Sequence, residues 1–577
     1  LSGATITLPA NVTLNFIGGK FSNGGMLFNN TSLILPNFTN MTSLSGTLTN
    51  VDMLNDKDFL GTNDSNILSF LLENVILNNA ILDLSRDYNI GSLTGVSNFA
   101  IANGNDGFEI RGNNHKITDT YAGTGNLSFL NLTNTNNVKI TDLIYESSLA
   151  SPTTTPEPYG VNVIKTTKDC SNLDLMNIKG VNVNSVLRAG DFGLNNFVAS
   201  GLNNSRIKVL GNGVGYAVAI ERGQNLDIDA RFVIAHRGVY LAGVTSSKIH
   251  VTGKDATVTN VNLYLKDSVY YNASDVSLEN TSLAKFIECS NLDIVSIDEG
   301  SSSDLAQLCS ISSYGDSFHF SNRTTPYNYG NIRLSIENEN SGSKIQGLVF
   351  SLLDHSTIKD KVSVRLLDSV FDNDEYFFIN DDTSNNIQKN ITIENCISSG
   401  KINWLPSDDD CLRIINSDLG LMSIGKNGEA FLESTKSTFT NLASTIGDNN
   451  VTMSFDTYLS RTSDFKRFKK VSLTGSDVYF GNDLDLTSFI QKENVIILTA
   501  NSQLRLNDSL LGNGDSFSIV AKNSHTSTIA IDLSTYFTGA TILGSELTFN
   551  VPTNELVNIF INKSGGTSYV YINKIGF

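Results

Sequence analysis

The sequence has little proline, tryptophan, cysteine or charge. Its 577 residues include 8 Pro, 1 Trp and 5 Cys, and 17% of them are charged against 40% that are hydrophobic. So few charges beside so much apolar content exclude a disordered acidic polymer and allow a large buried core. No apolar run reaches the roughly 18 residues of a membrane-spanning helix, and no signal peptide opens the chain, so membrane insertion is not expected.

The five cysteines are odd in number and lack C-x-x-C spacing. A disulfide framework or a zinc site is therefore not expected. We expect the thiols to act mainly as small core residues of a chain that folds in a reducing cytoplasm. The cysteines are Cys170, Cys289, Cys309, Cys396 and Cys411.

The charge that is present is mostly negative, with a formal net charge of -18. Nucleic acid and anionic membrane surfaces would be repelled, and no basic stripe with interleaved aromatics is visible. The chain is instead rich in Gly (45 residues), Asn, Ser and Thr, which weaken helical backbone bonding. Short runs of Val, Ile, Phe and Thr favour strands, so the composition predicts an all-β protein.

A four-residue pattern recurs along the chain: Asn, then an outward residue between two aliphatics. This alternation indicates strands with one buried face. Because the copies are spaced like coils and few hairpin dipeptides separate them, the pattern predicts a right-handed parallel β-helix. The recurring Asn either forms a hydrogen-bonded ladder between coils or simply tolerates turn geometry. The copies begin at Asn137, Asn172, Asn225, Asn291, Asn331 and Asn390, with looser ones at Arg206 and Lys248.

A second column of the predicted β-helix joins an inward aliphatic residue to an outward, often charged one. Two columns in register strengthen the prediction of a solenoid. The pairs are Ile110–Arg111, Ile164–Lys165, Leu187–Arg188, Ile220–Glu221, Leu265–Lys266, Ile287–Glu288 and Leu353–Asp354.

Four segments follow from where the repeats begin and fade. Residues 1–50 are predicted to form the first coils, and 51–430 the β-helix that carries the catalytic or receptor-binding surface. Residues 431–490 are a transition segment that includes the basic patch 466–470. Residues 491–577 alternate like antiparallel strands and predict a small sandwich for trimerisation or carbohydrate binding.

This layout resembles the tailspike depolymerases of bacteriophages, whose fold is a pectate-lyase-like right-handed parallel β-helix. The resemblance lies in the phrase LPANVTLNFIGGKF at Leu8–Phe21, the long solenoid and the compact C-terminal β segment. The segments Ile220–Gly223 and Ala235–Tyr240 also resemble this group, in particular spikes that attack Acinetobacter capsules.

The resemblance implies a homotrimeric virion protein that folds in the host cytoplasm and acts at the bacterial cell surface. It implies binding and endo-cleavage of a capsular polysaccharide or O-antigen. It also implies attachment to the phage tail or baseplate through an N-terminal domain that is missing here, in agreement with a sequence that starts at Leu1 without Met.

Three carboxylates, Glu221, Asp267 and Glu288, are candidates for glycoside hydrolysis. This reaction needs two carboxyl groups about 5 Å apart for retention or about 6.5 to 9.5 Å apart for inversion. Residues of one column lie ~4.8 Å apart on adjacent coils, so two coils approach the inverting spacing. With one copy per coil, Ala242 lies between Glu221 and Lys266, and Asp267 is two coils from Glu221. The alternative is a solvated surface ladder without catalytic function.

The segment His236–Tyr240 supplies different chemistry. His236 could transfer protons near neutral pH, Arg237 could clamp a sugar carboxylate, and Tyr240 could stack on a sugar ring. The alternative is that His236 or Tyr240 faces the core.

A polysaccharide lyase is the rival mechanism, because it needs a base and a cation beside a uronate carboxylate. Calcium could assist it through Asp227, Asp229 or Asp293, but no clustered calcium loop is visible, so no metal and no cofactor is expected. The residues predicted to bind substrate are Arg188, Arg222, Arg237, Tyr240 and Lys266.

Three functions therefore remain open from the sequence. The first is an endo-acting glycoside hydrolase, the second a polysaccharide lyase, and the third a non-catalytic adhesin on the same solenoid. Fold alone does not distinguish them.

Overall fold

A computed structural model of the chain forms two compact units, Leu1–Thr325 and Pro326–Phe577. They are called unit 1 and unit 2 below. The structure describes residues 3–93, 96–121, 125–148, 160–190, 201–254, 261–266, 268–270, 285–287, 290–298, 306–312, 332–338, 345–351, 360–373, 375–380, 387–406, 408–425, 430–444, 449–455, 468–473, 478–480, 483–485, 494–498, 502–505, 516–523, 529–532, 541–543, 548–565 and 567–575.

Unit 1 consists of strands, one short 3-10 helix (Asp56–Asp58) and one α-helix (α1, Asp64–Asn78) in its described part. The strands are Thr5–Thr7, Thr13–Asn15, Phe21–Ser22, Gly25–Ile34, Phe38–Met41, Ser43–Leu48, Met53–Asn55, Phe59–Gly61, Ile81–Asp83, Tyr88–Asn89, Asn98–Asn103, Glu109–Arg111, Lys116–Asp119, Asn126–Thr133, Lys139–Thr141, Ile144–Ser147, Gly160–Thr166, Cys170–Ser171, Asp174–Val181, Ser185–Ala189, Leu202–Asn203, Arg206–Gln224, Asp227–Lys254, Val261–Lys266, Ser268–Tyr270, Lys285–Ile287, Ser290–Asp298 and Ala306–Ser312.

Unit 2 contains strands alone among its described residues. They are Ile332–Asn338, Ile345–Ser351, Asp360–Leu367, Val370–Phe371, Tyr376–Asn380, Ile387–Glu394, Ile397–Ser398, Lys401–Trp404, Cys411–Ile415, Asp418–Ile424, Phe431–Thr435, Thr438–Ser444, Asn449–Phe455, Phe468–Leu473, Val478–Phe480, Asp483–Asp485, Asn494–Leu498, Ser502–Arg505, Ser516–Asn523, Ile529–Asp532, Thr541–Leu543, Thr548–Val551, Leu556–Ser564 and Thr567–Ile575.

Parallel stacking of like side chains builds unit 1. The inward aliphatics of the repeat pair strand upon strand, and burial of each contributes roughly 1.5–3 kcal/mol. This confirms the prediction of an all-β chain with a large parallel sheet. The stacked column runs through Ile110, Ile140, Leu175, Ile207 and Ile228.

The outward column beside it alternates in charge from rung to rung. Lys139 lies 3.1 Å from the Glu109 carboxylate, and the Arg206 guanidinium lies 3.9 Å from that of Asp174. Because opposite charges on neighbouring strands attract, each rung is stabilised by the next. The column reads Glu109, Lys139, Asp174, Arg206 and Asp227, and Lys248 is paired with Asp293 farther along.

The predicted asparagine ladder is present in unit 1. The side chain of Asn172 donates to Oδ1 of Asn137 at 3.1 Å, and that of Asn225 donates to Asn204 at 3.0 Å. These residues also have positive φ, 58° at Asn137 and 55° at Asn172, a left-handed conformation that Asn tolerates. Both sequence-based explanations of the recurring Asn are therefore correct.

The looser copies at Arg206 and Lys248 were predicted two residues out of register. Ile207 pairs with Leu175, the second aliphatic of its copy, so Ser205 takes the place that Leu173 has one coil earlier. The Ser205 hydroxyl accepts the Leu173 N–H at 3.0 Å. A serine at this corner satisfies a backbone donor that the strand ladder leaves open.

Helix α1 was not predicted, since the overall composition disfavours helices. It begins at the N-cap Asn63, whose side chain accepts from the Asn66 N–H, and it buries an apolar face. Three asparagines of this helix bind the backbone of the strand Ser43–Leu48. They are Asn66, Asn74 and Asn78. Their amides occupy an open strand edge that could otherwise pair with another chain.

In unit 2 the parallel stacking continues farther than predicted. Strand Phe468–Leu473 still pairs parallel with Asn449–Phe455, so the repeat does not fade at residue 430. The asparagine ladder of unit 2 does not pass through Asn390 as predicted, because Asn390 lies inside the strand Ile387–Glu394. It runs instead through Asn395, which donates to Asp368 at 3.1 Å and accepts from Asn416 at 2.9 Å.

The strands after residue 478 pair in both directions. Ser516–Asn523 pairs antiparallel with Leu556–Ser564, which pairs antiparallel with Thr567–Ile575, as predicted. However, Asn494–Leu498 runs parallel to Ser516–Asn523. A purely antiparallel segment was therefore a wrong prediction, because alternation reports burial of one face and not strand direction.

The core contains a buried ion pair and buried thiols. The side chains of Lys389 and Asp410 form an ion pair of 3.1 Å with 0% exposure. Lys389 therefore neutralises the charge of Asp410 inside the protein. Cys170, Cys309 and Cys396 are buried free thiols, as predicted, and burial raises the pKa of Cys170 to about 11.

Candidate functional site

Parallel strands of unit 1 bring Glu221 and Lys266 into one column. Ala242 pairs with Glu221 on one side and with Lys266 on the other. The sequence-based placement of Ala242 between these two residues is thus confirmed. The backbones at Glu221 and Lys266 are two strand spacings apart, ~9.6 Å. Only a methyl group stands between the two rungs.

Two members of the predicted column lie elsewhere. Arg188 pairs with Ala219, two residues before Glu221, so Arg188 and Glu221 are diagonal neighbours. Arg111 pairs with Thr141 in the column of the Asn repeat. Counting along the sequence cannot detect such offsets, because coils differ in length.

The place predicted for Glu288 is taken by another residue. Ser312 pairs with Lys266 on the next rung, while Ile287 pairs antiparallel with Ser268. Ile287 therefore does not belong to the parallel column. Asp267 and Glu288 themselves lie outside the described residues.

An aromatic cluster surrounds His236. The Tyr216 ring meets the His236 ring edge-on at 6.4 Å and the Tyr240 ring at 5.9 Å. The Arg237 guanidinium lies 5.7 Å from the Tyr240 ring centroid. Burial, and next the charge of Arg237, lower the pKa of His236 to about 4. His236 is therefore neutral at pH 7.

Access divides the predicted residues into two groups. Glu221 and Arg237 are partly exposed, so a ligand on this face can reach them. His236 is 3% exposed, and Arg188, Arg222 and Tyr240 are also buried. These four side chains are therefore shielded from a ligand on this face. Arg222 has a positive φ of 62°, two residues before its strand ends at Gln224.

Two features of this face were missed in the sequence. Tyr216 joins His236 to Tyr240, and Ala219 and Ala242 pack beside both tyrosines. The run Tyr216–Ala217–Val218–Ala219 could have indicated a strand with two small residues beside a tyrosine. Placing it opposite the His236 segment would have required the length of the intervening coil.

The candidate calcium ligands are not grouped. Asp229 lies 3.5 Å from Lys208, while Asp227 and Asp293 belong to the alternating charged column. Within the described ranges, no group of three His, Cys, Asp or Glu side chains is placed to hold a metal ion. No described helix is long and apolar enough to span a membrane.

Comparison with protein-family models, with curated proteins and with solved structures finds no match to this chain.

Proposed function

We propose that this chain binds a bacterial surface polysaccharide along the outer face of unit 1 and cleaves it internally. The observation that carries the proposal is the column Glu221–Ala242–Lys266, in which a half-buried glutamate lies two rungs from Lys266 and only the small Ala242 stands between them. Arg237 lies on the neighbouring rung and can reach an acidic sugar.

The reaction we propose is glycoside hydrolysis with Glu221 as one of the two carboxylates. A rung separation of ~9.6 Å is close to the ~9.5 Å upper end of the inverting range, where a water molecule fits between the acid and the base. Asp267 follows Lys266 in the sequence and is the proposed partner.

β-Elimination on a uronate-containing polymer is the second candidate. It is favoured by the neutral His236 beside Arg237 and Tyr240, because a lyase needs a base and a cation that neutralises the substrate carboxylate. The burial of His236 places it behind Arg237, so hydrolysis remains the first proposal.

The biological setting of the proposal is a phage tailspike: a right-handed parallel β-helix that trimerises, with a C-terminal β segment for trimerisation or sugar binding. It would act at the bacterial cell surface as part of the virion tail, after folding in the host cytoplasm. The parallel stacking of unit 1 supports this proposal.

Incubating the protein with a panel of purified capsules tests function and reaction together. New reducing ends without new ultraviolet absorbance would indicate hydrolysis, whereas rising absorbance from an unsaturated uronate would indicate a lyase. Binding without any shortening of the polymer would contradict both reactions and leave an adhesin. Mass spectra of the products would identify the repeating unit.

A further inference from the structure

A second outward face, in unit 2, carries arginines on neighbouring rungs. Arg333 pairs directly with Arg365, which pairs with Thr392, which pairs with Arg413. Like charges opposite one another on adjacent strands repel. The corresponding face of unit 1 alternates in sign instead. Three arginines thus lie close together on one face of a chain whose net charge is -18.

The same rungs form an open groove of about 460 Å³. Its polar wall is made of guanidinium, amide and hydroxyl groups. It is lined by Ser363, Val364, Arg365, Asn390, Ile391, Thr392, Cys411 and Arg413. A groove of this size and polarity fits a short oligosaccharide better than an apolar ligand.

Two glutamates hold the arginines in place without covering them. Arg365 donates to Glu394 at 2.7 Å and Arg413 to Glu433 at 2.7 Å. The arginine side chains remain 55% and 57% exposed. A guanidinium fixed in this way is oriented before a ligand arrives, which lowers the entropy lost on binding.

An exposed aromatic ring continues the groove. Phe431 pairs with Cys411 on the next rung, and its side chain is 52% exposed. An aromatic face beside hydrogen-bonding groups can stack on a sugar ring, since the ring is apolar on its faces and polar at its edge. A site for a bare inorganic anion would not need it.

We propose that this groove binds a carboxylate-bearing, uronate-type oligosaccharide. Its carboxylates would lie against Arg365 and Arg413, with one of them relieving the repulsion between Arg333 and Arg365. Phe431 would carry a sugar ring. The groove belongs to unit 2, shares no residue with the face around Glu221 and involves no cleavage. It shares with the proposed function only the assumption that the natural ligand is a polysaccharide.

Calorimetric titration of the full chain with size-defined oligogalacturonate tests the proposal, because it measures the affinity directly. The double variant Arg365→Gln/Arg413→Gln should bind about tenfold or more weakly, because two charge-assisted hydrogen bonds are lost. Phe431→Ala should weaken binding as well. The matched control Arg206→Gln, an exposed arginine paired with Asp174 in unit 1, should bind like the wild type.

Two further measurements distinguish the alternatives. Arg333→Gln should raise the melting temperature and yet weaken binding, whereas a purely structural arginine would change the melting temperature alone. Carboxyl-reduced oligogalacturonate should bind about tenfold or more weakly than the acid form. Oligogalacturonate binding that persists when no purified capsule is cleaved would support this site independently of the proposed cleavage.

The proposal is overturned if wild type and the double variant bind oligogalacturonate equally, or if the reduced oligosaccharide binds as well as the acid. It is also overturned if the double variant changes the oligomeric mass in light scattering and not the affinity. The groove would then be an interface between copies of this chain.

Discussion

The side chain of Asn172 donates to Oδ1 of Asn137 at 3.1 Å, and both residues have a left-handed backbone. One residue type thus provides two things at each corner of unit 1. Its amide joins consecutive coils, and its short polar side chain lowers the strain of a positive φ.

Replacing Asn172 separates these two contributions. Asn172→Gly keeps the left-handed backbone and loses the hydrogen bond, whereas Asn172→Ala loses both. We expect the free energy of unfolding, measured by urea denaturation and circular dichroism, to fall from wild type to the glycine variant and again to the alanine variant. The second step should be about 1–2 kcal/mol. Equal midpoints for the two variants would show that strain at this corner is not significant.

The asparagines of helix α1 predict a second effect. Asn74 accepts the Leu48 N–H at 2.6 Å and donates to the Gly46 carbonyl at 3.1 Å. Asn74→Leu keeps the volume but leaves both backbone groups unpaired, which should cost about 1–3 kcal/mol. Thermal melting and sedimentation should show a less stable, aggregation-prone protein. The control Ser69→Ala on the same helix should behave like wild type, and an unaffected Asn74→Leu would refute a role in edge protection.

The buried pair in unit 2 predicts a non-additive response. Lys389→Met or Asp410→Leu alone removes the ion-pair partner of a fully buried charge and should cost about 3–5 kcal/mol. The double variant removes both charges and should be more stable than either single variant, as measured by urea unfolding. If the two losses simply add, the ion pair does not couple these positions.

The lowered pKa of His236 predicts a pH dependence. In the unfolded chain His236 titrates near its ordinary value of 6.5, and in the folded chain at about 4. Between these values the unfolded state binds more protons, so this contribution to stability is present above pH ~6.5 and is lost as the pH falls towards ~4. In the His236→Gln variant, the melting temperature of unit 1 should depend less on pH between ~6.5 and ~4. If the melting temperature of the variant depends on pH as strongly as that of the wild type, folding does not lower the pKa of His236.

The sequence predicted those features that depend on local periodicity. The Asn column and its aliphatic neighbours follow from alternation and from the conformational tolerance of Asn, so Asn137, Asn172 and Asn225 were found. Helix α1 was missed because composition averaged over the whole chain conceals one segment with an Asn63 cap. In unit 2 the pattern pointed to Asn390, although Asn395 lies at the turn, because two asparagines five residues apart look alike in one dimension.

The sequence predicted which site residues lie on neighbouring rungs only where the number of residues in each coil could be read from the repeat. Glu221, Ala242 and Lys266 lie on coils of similar length, and their order was correct. Arg188 was misplaced by two residues relative to Glu221, because an offset between coils leaves no mark on hydrophobic alternation. Tyr216 was missed for a related reason, since its contacts with His236 and Tyr240 arise between rungs.

The most direct test compares the rates at which wild type and Glu221→Gln shorten a capsule that the wild-type protein cleaves. Light scattering measures the size of the polymer over time. The variant should lose about 100-fold or more of the rate while melting at the wild-type temperature. Glu337→Gln, an exposed glutamate of unit 2, should cleave normally. A folded Glu221→Gln protein that cleaves at the wild-type rate would contradict the assignment of the active face.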